Sequence, residues 1–155
     1  MLEDIWRDFV RKYNLDSTWY YQEPSLAWAE YGILRAVALA KKACPQLRLA
    51  IAGEGMERKK LEALAAELGI ADSVFFLGWV NDLDSFYGAL DINTLSSLSE
   101  AFPYALPEGA RAHLATVASN VGGVPAIIEH GVTGLRIEPG DVRMLAAYLA
   151  RFALD

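Results

Sequence analysis

The chain is short of the residues that most metal and redox chemistry needs. It has one cysteine, Cys44, and two histidines, His113 and His130, in 155 residues. A single cysteine excludes an intrachain disulfide and a thiolate zinc site, and fits a reducing compartment. The histidines fall on separate predicted elements, so no metal centre is expected. Basic residues are also few. The 14 Lys and Arg against 20 Asp and Glu leave a formal net charge of −6, which argues against a broad nucleic-acid or anionic-lipid surface. No apolar run reaches the roughly 18 residues of a membrane span, and the opening Met1-Leu2-Glu3-Asp4-Ile5-Trp6 is charged rather than signal-like. The expectation is a soluble, cytoplasmic chain without a transmembrane segment. Its 54% hydrophobic and 22% charged residues are those of one folded domain.

What is present is alternation of short apolar strands with amphipathic helices. Apolar spacing predicts helices over residues 2–13, 25–42, 56–68, 82–90, 103–113 and 141–153, with a helical turn over 125–129. Strands are predicted over 17–22, 47–52, 74–77, 92–95, 116–118 and 135–137. Gly69 is read as the stop of the 56–68 helix. Such alternation predicts a three-layer α/β/α domain on a Rossmann-like parallel sheet. Sheets of this class bind ligands beyond the carboxyl ends of their strands. Gly53, Trp79, Ser96 and Ser119 fall at those ends.

Glu100 and Glu108 are eight residues apart, flanking Ala-Phe-Pro-Tyr-Ala-Leu-Pro, and Gly122-Gly123-Val124-Pro125 follows. Upstream stand Ile51-Ala52-Gly53-Glu54-Gly55, Val74 to Val80, and Phe86-Tyr87 with Asp91; downstream stands Glu129-His130-Gly131-Val132-Thr133-Gly134. In this order they resemble the E-x7-E signature and surrounding segments of the family 4 (group 1) retaining glycosyltransferases. The resemblance covers residues 47–155 well, while residues 1–46 are divergent. It implies a single domain, residues 1–155, equivalent to the C-terminal, donor-binding half of the two-domain GT-B architecture.

By that resemblance Glu100 is the catalytic carboxylate, contacting the donor sugar and stabilising charge at its anomeric carbon. Glu108 accepts hydrogen bonds from the ribose hydroxyls. About two helical turns, roughly 10 Å, separate them, which matches the length of a nucleoside-diphosphate sugar. Backbone amides near Phe102, Tyr104 and Ala105 face the diphosphate, while Gly53 and the loop Gly78-Trp79-Val80 approach the nucleotide. No cofactor or metal is implied beyond the nucleotide sugar as co-substrate.

The departures matter as much. Where the family carries Gly-Arg and then Glu-Lys-Gly, this chain has Gln22-Glu23-Pro24-Ser25 and Glu30-Tyr31-Gly32, so two phosphate-neutralising cations are missing. Arg111 is the local candidate to replace them, although a surface role is the simpler reading. His113 stands where a helix-ending glycine is expected, and a left-handed cap there strains a histidine. Taken alone, Glu100 is a loop carboxylate near a helix start and Glu108 a solvated helix residue. Gly53-Glu54-Gly55 is then only a tight turn.

Two function classes follow. The first is the donor-binding half of a hexosyl transferase for a hydroxyl acceptor, a surface glycan or a lipid-linked sugar, inactive without an N-terminal acceptor domain. The second is a degenerate, non-catalytic nucleotide-binding or protein-interaction domain. A sugar-nucleotide epimerase of related architecture is the weakest alternative. Eight of the 17 aromatic residues lie in the first 31 positions; they either complete the core or form a patch for a partner domain or self-association.

Overall fold

The computed structural model describes residues 28–155. The helix expected over 2–13, the strand expected over 17–22 and most of the aromatic N-terminal region lie outside the described residues. The elements are α1 (Trp28–Ala40), β1 (Leu49–Ala52), α2 (Arg58–Glu67), a 3-10 turn (Ala71–Ser73), β2 (Val74–Gly78), α3 (Leu83–Gly88), β3 (Ile92–Leu95), α4 (Ala105–Arg111), β4 (Ala115–Ser119), α5 (Val124–Ile127), β5 (Leu135–Ile137) and α6 (Val142–Leu154).

Among the described residues the named strands pair in parallel, as expected, and a single antiparallel bridge joins Gly53 to Gly78. β1 pairs with β2, and β3-β4-β5 form a second ladder. One hydrophobic core joins the two ladders: Leu49 and Val74 from the first meet Val117, Leu135 and Ile137 from the second beneath α1, α2 and α6. The opposite face of β3-β4-β5 carries a smaller cluster in which Leu106 of α4, Val124 and Ile128 cover Ala118. β4 is therefore buried on both sides, Val117 toward one layer and Ala118 toward the other, as strand alternation requires. This is the α/β/α layering read from the sequence.

Local chemistry fixes the element ends. Asp82 and Asp141 cap α3 and α6 through side chains that accept from the Ser85 and Met144 amides, each at 3.0 Å, satisfying donors left free at a helix start. α6 is the main packing element; its residues from Met144 to Ala150 are all buried. Each large one, Leu145 or Leu149, contributes about 1.5–3 kcal/mol by leaving water. α4 is shorter than the expected 103–113 helix because Pro103 and Tyr104 form the preceding turn, where the Leu106 amide reaches back to the Pro103 carbonyl at 3.1 Å.

Candidate functional site

The loops after β1, β2 and β3 carry the residues singled out in the sequence. At the end of β1, Gly53 (φ +121°) donates its amide to the Gly78 carbonyl at 2.7 Å, and Gly78 itself has φ +68°. Glycine is required at both, since a side chain at these angles is strained. Trp79 follows, 73% exposed, its indole N–H donating to Asn81 Oδ1 at 2.9 Å, and Val80 is half-buried.

Beyond β3 the chain turns sharply, and glycine packing sets its path. A β-carbon on Gly122 would collide with the Glu100 carbonyl oxygen, and one on Gly123 with the Ala101 carbonyl. The Gly122-Gly123 turn is thus the bed on which the Glu100 loop rests. Glu100 is half-buried and accepts from Ser97 Oγ at 2.6 Å. Phe102 and Tyr104 are exposed and meet edge to face, ring centroids 5.4 Å apart. Ala105 is half-buried, and its carbonyl accepts from the buried Asn93 side chain at 2.9 Å. A β-carbon on Gly109 would also collide with the Asn93 amide, so Gly109 lets α4 sit close on β3.

Glu108 lies in the first turn of α4, half-buried, and not two turns along a helix as expected, because the chain from Glu100 to Tyr104 is non-helical. Its Oε2 accepts from the hydroxyl of Tyr87 on α3 at 2.9 Å. Tyr87 is buried, and burial together with the adjacent carboxylate pushes its phenol up to about 12. Sequence reasoning noted Tyr87 as part of a matching segment but missed it as a site residue. The available signal was physical: a buried tyrosine hydroxyl needs a partner. Asn93 and Ser97 were likewise missed.

Arg111, the candidate replacement cation, is held by Asp84 on α3 in an exposed ion pair. The Glu100–Glu108 group and the Gly53, Gly78, Trp79 group occupy the strand ends of different ladders. Ser96 and Ser119, with Gly32 and Asp141, line a small cavity at the ends of β3 and β4; the buried Ser119 hydroxyl has no partner among the described residues. Among the described residues no group of His, Cys, Asp and Glu is arranged to hold a metal ion, and no helix is long and apolar enough to cross a membrane.

Residues 31–155 match the family model of "Glycosyl transferases group 1". Among curated proteins, the chain is 32% identical over 122 residues to a putative glycosyltransferase, EpsD, of Bacillus subtilis, covering 79% of this chain and 32% of that protein. It is 34% identical over 134 residues to the D-inositol 3-phosphate glycosyltransferase of Thermobispora bispora, covering 79% and 31% respectively. The chain thus spans about a third of the length of these relatives. Among solved structures, Anabaena HepE in complex with UDP and glucose superposes with a TM-score of 0.70 at 27% identity, covering 90% of this chain and 36% of that one. The C-terminal domain of a Francisella tularensis group 1 family protein, LpcC, superposes at 0.73 with 26% identity, covering 81% and 68%.

Proposed function

This chain belongs to the group 1 glycosyl transferases, and we propose that it is the donor-binding half of a retaining enzyme that moves a hexosyl group from a nucleoside-diphosphate sugar to a hydroxyl. In that reaction the bond from the anomeric carbon to the diphosphate breaks and a bond to the acceptor oxygen forms. The acceptor hydroxyl gives its proton to the departing diphosphate or to solvent, and the diphosphate leaves as an anion. Glu100 faces the sugar and stabilises positive charge at the anomeric carbon. Glu108 accepts from the ribose hydroxyls, and the diphosphate lies along the backbone of Phe102, Tyr104 and Ala105. Gly53, Gly78, Trp79 and Val80 approach the nucleotide from the neighbouring ladder.

The observation that carries this reading is the seating of the two carboxylates. Each is half-buried, each is held by one hydroxyl donor, and the loop between them is fixed by glycine contacts at the carboxyl end of β3. Relatives at least as similar are named as glycosyltransferases, and HepE was solved with UDP and glucose. A second reading, a degenerate domain that binds nucleotide weakly or not at all, is favoured by a specific feature. Gln22-Glu23 and Glu30-Tyr31 stand where phosphate-binding cations are expected, and Arg111 is engaged by Asp84. Losing two charge-assisted contacts of about 1.5–3 kcal/mol each weakens donor binding by roughly two to four orders of magnitude.

Calorimetry with UDP, GDP and ADP separates the readings. The donor-site reading requires one of them to bind with a Kd tighter than about 1 mM, and Glu108→Ala to weaken it at least ~10-fold. Constants all weaker than that, unchanged in the variant, leave the degenerate domain.

A further inference from the structure

Two contacts tie α3 to α4, and they repeat with the helical period. Asp84 and Tyr87 are three residues apart on α3, so they share a face. Glu108 and Arg111 are three apart on α4 and share the facing side. Asp84 holds Arg111 and Tyr87 holds Glu108. The outer pair is an exposed ion pair, whereas Tyr87 is only 7% exposed. The Phe86 ring lies edge-on to Tyr87 with centroids 5.2 Å apart, which limits where the phenol can swing.

We propose that Tyr87 is a positioning residue for ligand recognition: it clamps Glu108 Oε2 so that Oε1 is presented, in one orientation, to the vicinal diol of a ribose. This rests on the reading of Glu108 as the ribose-binding carboxylate. A glutamate on a helix surface samples several rotamers, and selecting one on binding lowers affinity. Here the phenol hydroxyl makes that selection beforehand. It also occupies one carboxylate oxygen with a neutral donor, so the group keeps its negative charge and the lone pairs of the other oxygen remain to accept. Among the described residues the Glu108 carboxylate makes no second hydrogen bond, as a group reserved for a ligand should not. Burial and the adjacent carboxylate raise the Tyr87 phenol, so it stays a donor further into alkali than a free tyrosine.

The test titrates UDP, GDP and ADP, and the 2′,3′-dideoxy counterpart of each, into wild type, Tyr87→Phe, Glu108→Ala and the double variant. Tyr87→Phe keeps the ring and removes only the hydroxyl. The expected result is a ~3–10-fold loss for the ribonucleotide that binds, from one hydrogen bond's worth of ordering. The dideoxy analogue should change less than twofold, and Tyr87→Phe should cause no further loss on top of Glu108→Ala. A merely structural tyrosine would weaken both ligands alike, and that outcome overturns the proposal. So does wild-type affinity in Tyr87→Phe when Glu108→Ala has lost binding. If Glu108→Ala is itself without effect, the donor-site reading fails first and the positioning role fails with it.

Discussion

Single residues carry the sharpest consequences, and His113 is the clearest. α2 and α4 end in the same way. The Gly69 and Ile70 amides reach back to the Ala66 and Ala65 carbonyls, and the His113 and Leu114 amides to Ala110 and Gly109. Both are Schellman ends, and both need a left-handed residue one position past the cap. α2 supplies Gly69 at φ +69°, while α4 supplies His113 at φ +60°, the one non-glycine with positive φ among the described residues. The conflict is legible in the sequence, where a glycine is expected at this position. A left-handed non-glycine residue costs about 1–2 kcal/mol, part of which glycine returns as unfolded-chain entropy. His113 is exposed, so no packing is lost on removing it. His113→Gly should therefore gain about 0.5–1 kcal/mol and raise Tm by roughly 1–4 °C, checked by thermal melting; an unchanged or lower Tm contradicts the strain. Tyr87 gives a pH prediction. Burial and the Glu108 hydrogen bond push its phenol up from an ordinary 10.0 to about 12. Because the folded value is the raised one, the stabilisation is complete below about pH 10 and is lost as pH rises through about 12. Wild type should lose stability across that window more steeply than Tyr87→Phe in parallel denaturant titrations; equal slopes contradict the buried hydrogen bond.

Elements show which parts of the fold local sequence decides. β3 (Ile-Asn-Thr-Leu) and β5 (Leu-Arg-Ile) each start and stop on an apolar residue, and both were legible to the residue. α2 and α6 were placed within two residues, because Gly69 and Asp141 punctuate them with a left-handed turn and a side-chain cap. The turn over Ala71–Ser73 was not legible, since three polar or small residues carry no periodicity. Nor was the tie between α3 and α4, because Tyr87 and Glu108 are 21 residues apart and only tertiary packing brings them together. Glu100 and Glu108 were singled out by their spacing and neighbours. What holds each of them was not. The Gly122-Gly123 turn links these levels, since its lack of side chains lets the Glu100 loop lie on it. Gly122→Ala must displace the backbone at Glu100, costing about 2 kcal/mol and roughly 4–8 °C in Tm. It should also weaken nucleotide-sugar binding more than binding of the bare diphosphate, measured by calorimetry on both; equal losses would mean the loop does not reach the sugar.

At the scale of the whole molecule, the donor-half proposal makes the described residues one wall of a site. The chain spans about a third of the length of its curated relatives. A single wall cannot exclude water or hold an acceptor in line with the anomeric carbon. The isolated chain should therefore bind donor without transferring sugar. A radiolabelled-donor assay should show no transfer to a hydroxyl acceptor above background, and measurable turnover would show that this chain holds an acceptor unaided. The measurement that bears most directly on the account is a crystal structure of the chain grown with whichever of UDP, GDP or ADP binds it most tightly. The ribose hydroxyls should lie within hydrogen-bond distance of Glu108 Oε1, with Tyr87 still on Oε2, and the diphosphate beside Phe102 to Ala105. A nucleotide bound elsewhere, with Glu108 making no contact to it, would contradict the account.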